Sequence, residues 1–199
     1  MLRRIKNYIM RYIFLHIDSM WEEKEYESLL QLKKNFSKVG GNFVLGKNYR
    51  IPDARNIEIG ENFRASERFR AEVFYELDGF LTNSKLIIGD NVTFHTDVHL
   101  ACANRIEIGD ECLFASRIFI TDHSHGNSEE DEIQKPPRLR KIISKGPVII
   151  GKNVWIGEGV SILANVKIGD NAIIGTNSVV TKDVPKNAVV GGVPARELK

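Results

Sequence analysis

The chain has 199 residues, 42% of them hydrophobic and 27% charged, the make-up of one folded domain with a short appendage. Its 28 basic and 26 acidic residues leave a net charge of +2, too small a field to recruit nucleic acid, and no nucleic-acid motif is present. Cys102 and Cys112 have neither metal-binding nor redox spacing and read as two reduced thiols of a cytosolic protein.

Residues Met1 to Ile17 carry Arg3, Arg4, Lys6 and Arg11 among Ile5, Tyr8, Ile9, Tyr12, Ile13 and Phe14. No small-residue cleavage site follows, and the longest uncharged run, Tyr12 to Ile17, is far below the ~20 apolar residues of a membrane span. The segment therefore reads as neither signal peptide nor transmembrane helix. A basic amphipathic helix of this kind rests on the inner face of an anionic membrane or packs on its own protein or a sister subunit, and both readings stay open. Further along, "EEKEYESLLQLKK" is amphipathic and lacks Gly and Pro, so residues 1–42 are expected to be helical.

From about residue 43 the apolar residues keep a six-residue beat. It is faint at Leu45 and Ile51 and at Ile59 and Ala65, and residues 66–85 break it as irregular strand and turn. It returns at Ile88, Phe94 and Leu100, slips by two residues, and continues at Ile108, Phe114 and Ile120. It is clearest at Ile150, Ile156, Ile162, Ile168, Ile174 and Val180, with a second set two residues earlier at Val148, Val154, Val160, Val166, Ala172 and Ser178. Neither a heptad nor a 3.6-residue stripe has this period. Short strands joined by tight turns have it when three hexapeptides make one triangular coil and coils stack about 4.8 Å apart, burying one residue per hexapeptide. The fold class is all-β, a parallel β-helix over residues 43–199. Gly, Asn and Asp suit its corners, and Asn165 fills one where Gly would be easiest.

The beat is interrupted once at length, by "FITDHSHGNSEEDEIQKPPRLRKIISKGPVIIG". A loop over about residues 122–147 leaves just past Ile120 and rejoins the frame at Val148. Long loops in compact repeats are more often functional than idle, so this one is expected to shape an acceptor site. A closing segment over about 184–199, "PKNAVVGGVPARELK" within it, ends the stack.

"VWIG", "IGDNAIIGTNSVVTKDVP" and "VVGGVPAR" on this hexapeptide frame resemble the left-handed β-helix acyltransferases, over about residues 43 to 197. Within them the chain is most similar to the branch of maltose and nodulation-factor O-acetyltransferases. "DHSHG" followed by a loop and "KGPVIIGKNVWIGE" resembles its lipopolysaccharide and polysaccharide O-acetyltransferase subgroup. The resemblance implies a homotrimer, acetyl-CoA as acyl donor in a groove between neighbouring helices, no permanently bound cofactor or metal, and a saccharide acceptor. It also implies a histidine general base for direct transfer to a hydroxyl. Independently, an imidazole of pKa near 6.5 suits that proton transfer, which is typically worth about 10²–10⁴ in rate.

Family relatives place the base five residues past an interior position, in a pattern like I-x-T-x-x-H. The ungapped match from Ile120 puts His125 on the base and leaves His123 to order the turn or contact the acceptor. No acid occurs between Arg138 and Gly146, so the base's orienting partner is sought at Asp122, at Glu129 to Glu132, or at a backbone carbonyl. His95, just after interior Phe94, falls where family relatives carry an Asn close to the acetyl group, so the resemblance implies a donor to the thioester oxygen, the alternative being an outward polar residue on a strand. His99 is expected to face solvent or a neighbouring subunit. An indole at an outward strand position is costly to expose, so Trp155 is expected to be buried against a neighbouring subunit or a ligand, and the resemblance implies the groove near pantetheine or acceptor. For CoA the resemblance points to Gly157, Ala164, Thr176, Lys182 and Arg196.

Three other readings compete. A zinc carbonic anhydrase of the γ type shares this helix, but the H-x-H pair does not match its wider histidine spacing, and "GGVPAR" and "VTKDVP" favour acetyl transfer. A non-enzymatic trimeric scaffold would have no use for the histidines and "VWIG". An amino-sugar acceptor, giving N-acetylation, is the nearest rival.

Overall fold

A computed structural model describes residues 23–24, 26–77, 80–127 and 129–198. The basic stretch Met1 to Ile17, and with it the question of membrane contact, lies outside the described residues. Residues 23–35 are helical at every described position and belong to a compact unit of their own, with a second unit running from Phe36 onward. Among the described residues no helix is long and apolar enough to cross a membrane.

The second unit is a left-handed parallel β-helix whose strands fall into three parallel sheets, the faces of a triangular prism. One face has six strands (Lys38–Val39, Ile57–Ile59, Lys85–Ile88, Arg105–Ile108, Val148–Ile150, Val166–Ile168). A second, of eight, runs from Val44–Leu45 through Arg64–Ala65, Thr93–Phe94, Leu113–Phe114, Trp155–Ile156 and Ile173–Ile174 to Val189–Gly191 and, antiparallel to it, Arg196–Glu197. The third holds Arg70–Val73, His99–Cys102, Phe119–Thr121, Ser161–Ile162 and Val179–Val180. Register confirms the beat: Ile88 pairs with Ile108, Ile108 with Ile150, and Ile150 with Ile168.

Both apolar sets are interior, not one residue per hexapeptide: Val148, Val154, Val160, Val166 and Ala172 are as buried as Ile150, Ile156 and Ile162. Alternate side chains of a three-residue strand point the same way, so each strand sends two inward. The polar member, Ser178, is also fully buried. It donates to Gly175 O (2.6 Å) and accepts from Gly192 N (3.1 Å). A corner turn is thereby held where an apolar residue would leave its amide unpaired.

The corner between the six- and eight-stranded faces explains the recurrent "DN". Asn42, Asn62, Asn91, Asn153, Asn171 and Asn187 all sit at φ between 51° and 61°. Their carboxamides hydrogen-bond along the edge, Asn42 to Asn62, Asn62 to Asn91, Asn153 to Asn171 and Asn171 to Asn187, at 2.8 to 3.0 Å. Asn tolerates the left-handed conformation and also bonds its neighbours, which Gly cannot do.

Residues 66–85 depart from the irregular segment expected. The frame holds through Phe69, Ala71 and Val73, all buried, and pairs with the next coil as Arg70↔His99 and Val73↔Cys102. Only residues 74–84 leave the wall, through a hairpin of Glu76–Leu77 and Phe80–Leu81. The segment was obscured because Phe63, Ala65, Phe69 and Ala71 fill the interior instead of β-branched residues; Phe63, Phe69, Phe94 and Phe114 form a ring-to-ring column at 4.6 to 5.8 Å. The longer loop leaves after Thr121 and returns at Val148. It opens and closes as an antiparallel pair, His123–His125 with Ile142–Ser144.

Candidate active site

The site grows out of two irregularities in the repeat that lie on one corner. The two-residue slip is Ala103–Asn104, a bulge between the strand His99–Cys102 and the strand Arg105–Ile108. Its amides point at the first residue of the long loop. Ala103 N and Asn104 N donate to the two oxygens of Asp122 at 2.7 and 2.8 Å. Asp122 is fully buried and its Oδ1 also lies 3.1 Å from His123 Nδ1. Burial alone would raise this carboxyl's pKa, but the bonds from His123, Ala103 and Asn104 outweigh it and hold the group below the usual carboxylate range. An ionised carboxylate clamped by two backbone amides is a fixed acceptor for the imidazole.

His123 is fixed on its other sides as well. Its side chain is 8% exposed. Thr121 Oγ1 lies 3.3 Å from Nδ1, and the Phe74 ring meets the imidazole edge-on at 5.0 Å between centroids. With Nδ1 engaged by Asp122 and Thr121, Nε2 is the nitrogen left for a ligand. A cleft of about 310 Å³ opens at this residue, lined by Thr121, His123, Ser124, Lys145, Leu163, Ala164 and Thr181. Lys182 follows Thr181 on the exposed edge.

His125 lies on the same hairpin strand opposite Ile142 and is exposed, outside the lining of the cleft. Glu132, 6% exposed, pairs with Lys135 and accepts from Lys141 N, and Arg140 donates to Lys135 O and Ile133 O.

The remaining predicted residues collect elsewhere on the prism. His95 is exposed at the corner after Thr93–Phe94, with its amide bonded to Phe114 O. Gly157 and Thr176 belong to the same corner in later coils, where Gly157 N donates to Ile174 O. A Cβ on Gly157 would lie 2.8 Å from Ile174 O and Thr176 N, so only glycine lets those coils close. Trp155, 51% exposed, stands on the eight-stranded face between Leu113 and Ile173. Arg196 is on the antiparallel strand that ends this face. Asp122, His123, Ala164 and Lys182 therefore share one edge, and His95, Trp155, Gly157, Thr176 and Arg196 lie on or beside the eight-stranded face. A single chain does not bring the two groups together.

His99, expected to face outward, is half-buried: its Nε2 lies 3.1 Å from Glu72 Oε2 and its ring packs on Phe119. Burial, and after it Arg70, push its imidazole below the ordinary value against the pull of Glu72. Phe74, Lys145, Leu163 and Thr181 escaped the sequence reading. Thr181 sits inside the quoted "VTKDVP" and was within reach; Phe74 and Lys145 come from the ends of two excursions whose return paths no periodicity records.

Residues 147–182 match the family described as bacterial transferase hexapeptide (six repeats). WbbJ of Escherichia coli (strain K12), named for lipopolysaccharide biosynthesis O-acetyl transfer, is 34% identical over 147 residues, covering 72% of this chain and 71% of the relative. The galactoside O-acetyltransferase of the same organism is 32% identical over 197 residues, 99% of this chain and 78% of the relative. Among solved structures, the N-acyltransferase AntD from Bacillus cereus, in complex with dTDP and 3-hydroxybutyryl-CoA, superposes with a TM-score of 0.67 at 25% identity, over 87% of each chain.

Proposed function

Because the chain belongs to the bacterial hexapeptide-repeat transferases and is an acyltransferase, we propose that it moves the acetyl group of acetyl-CoA directly to a hydroxyl of a cell-surface polysaccharide sugar or its precursor, with His123 as general base. One observation carries the reading: the Asp122 carboxylate, held by two backbone amides, engages Nδ1 of His123 at the wall of a cleft and leaves Nε2 for the acceptor. Nε2 takes the proton of the acceptor hydroxyl as its oxygen attacks the thioester carbonyl carbon. The resulting imidazolium, steadied by Asp122, returns the proton to the departing thiolate of CoA. Lys145 brings positive charge to the cleft in which the oxyanion forms. No covalent acyl-enzyme is needed. The histidine count along the repeat favours His125, but that side chain lies outside the cleft; its role in this scheme is to meet the acceptor on the outer face of the hairpin.

The second half of the scheme is a trimer. Of the donor-binding residues inferred from the family, Ala164 and Lys182 share the His123 edge, whereas Gly157, Thr176 and Arg196, with His95 and Trp155, lie away from it. Side-by-side packing of three chains supplies one group from each neighbour and covers the exposed Trp155, Leu113 and Val189.

Thiol release from acetyl-CoA with a saccharide acceptor tests the base. His123→Ala is expected to lower kcat by about 10²–10⁴ with KM for acetyl-CoA unchanged, and His125→Ala to retain kcat. The opposite pattern assigns the base to His125. An amine acceptor is the second reading, favoured by the structural likeness to AntD, an N-acyltransferase. Alkali removes the acetyl group from an ester product and leaves an amide intact, which separates the two.

A further inference from the structure

A larger cleft, of about 470 Å³, lies on the same corner of the prism as His123 but nearer the first coils. It is built by the excursion over residues 74–84, which the proposed chemistry leaves unused. The neck of that excursion is closed by hydrogen bonds. Thr82 and Ser84 both donate their hydroxyls to Phe74 O, Ser84 at 2.6 Å, and Thr82 N donates to Tyr75 O at 2.8 Å. Tyr75 lines the cleft with Arg55 stacked on one face of its ring, 3.8 Å from the centroid.

The charges lining this cleft are already matched. Arg55 is paired with Asp53 through Nε at 3.0 Å, and Lys85 Nζ lies 2.6 Å from Glu58 Oε1. A phosphate or pyrophosphate entering here would find no uncommitted cation among the described lining residues and would have to break one of those pairs. What is uncommitted is neutral: the Asn56 and Asn83 carboxamides have no partner among the described residues. An aromatic ring, two free carboxamides and a rim of paired charges fit the apolar C–H face and hydroxyl edge of an uncharged pyranose. The volume lies within the range of small-molecule sites, about 300–1,000 Å³.

Phe74 and Tyr75 are consecutive, and Phe74 packs on His123 while Tyr75 lines this cleft. Lys85, at its edge, is one coil before the Ala103–Asn104 clamp and two before Lys145. At about 4.8 Å per coil the two clefts are on the order of 10 Å apart, the reach of a disaccharide. We infer that the cleft at Tyr75 binds a neutral sugar unit of an oligosaccharide acceptor while a neighbouring unit presents its hydroxyl to His123. The inference deepens, and rests on, the proposed transfer to a saccharide.

Binding alone tests it. Saturation-transfer NMR and calorimetry with lactose, maltotriose and cellotriose, and with UDP-glucose and inorganic pyrophosphate as comparators, need no turnover. At least one neutral oligosaccharide is expected to bind in the absence of acetyl-CoA, and about tenfold more weakly to Tyr75→Ala and to the exposed-site variant Asn83→Ala. In turnover the same two variants are expected to raise KM for that oligosaccharide while kcat and KM for acetyl-CoA stay put. Binding by only UDP-glucose or pyrophosphate, by none of the probes, or with equal strength in both variants overturns the inference. If an oligosaccharide binds at Tyr75 but no hydroxyl is ever acetylated, the proposed function fails and this site stands. If acetyl transfer runs on simple sugars indifferently to Tyr75, the reverse holds.

Discussion

At the scale of single residues, Asp122 governs the site because its burial and its bonds pull against each other. Asp122→Asn puts an amide nitrogen against one of the two backbone donors, leaving it unpaired at a cost of about 1–3 kcal/mol. The variant is expected to melt lower than the parent, with kcat reduced and KM for acetyl-CoA unchanged. The folded carboxyl has a lowered pKa. Its stabilising contribution is therefore fully present above the ordinary value of about 3.9 and is lost as pH falls through the lowered one. The gap in Tm between parent and Asn variant should narrow in acid, and scanning calorimetry from neutral pH to below pH ~4 reads it. The cysteines lie at the opposite extreme. Both are free and buried; burial pushes the Cys112 thiol up to about 11 and Cys102 beyond it, so neither offers a thiolate nucleophile. This agrees with the reduced thiols read from sequence. Which histidine faces the cleft could not be read that way. Counting from Ile120 fixes how far each lies along the chain, whereas the Nδ1 bond to Asp122 depends on where the loop turns.

Elements of this fold are specified chiefly by what sits inside and at the corners. From Ile150 to Val180 the beat could be read residue by residue because β-branched side chains occupy nearly every interior position. It faded where Phe63, Ala65, Phe69 and Ala71 fill the same slots, since a large ring beside a small methyl packs a coil as well as two isoleucines but shows no uniform periodicity. The excursions could be seen as interruptions and not as structures, because a hairpin of His123–His125 with Ile142–Ser144 pairs across a gap that no local pattern spans. The corners make their own prediction. Asn171 sits at φ 59°, accepts from Asn153 and donates to Asn187. Asn171→Gly loses the two ladder bonds and keeps the conformation. Asn171→Ala loses them and adds a left-handed penalty of roughly 1–2 kcal/mol. Thermal melts should therefore rank parent above Gly above Ala, against the usual preference for Ala over Gly. An Ala variant as stable as the Gly one would mean that corner strain does not limit stability.

The proposed site residues divide between a corner that carries His123 and a face that carries Trp155, so the proposed scheme needs a neighbouring chain to complete the site. Co-expression tests this directly. His123→Ala and the double variant His95→Ala, Arg196→Ala are each expected to be weakly active alone, and mixed assemblies to exceed both. Mixed trimers seen by mass spectrometry without any gain in activity would place the site within one chain. At the end of a stacked helix an uncovered parallel edge leaves backbone groups that can recruit another coil. At the C-terminal side of the eight-stranded face the last strand does not continue the stack. Arg196–Glu197 turns back antiparallel onto Val189–Gly191, with Glu197 opposite Val190, and presents exposed charged side chains. That reversal makes the segment a terminator of growth. Without it, the final coil would present an open parallel edge to another chain, and head-to-tail addition has no symmetry that closes it. Removal of residues 192–199 is expected to turn discrete particles into filaments whose length rises with protein concentration, visible by light scattering and electron microscopy.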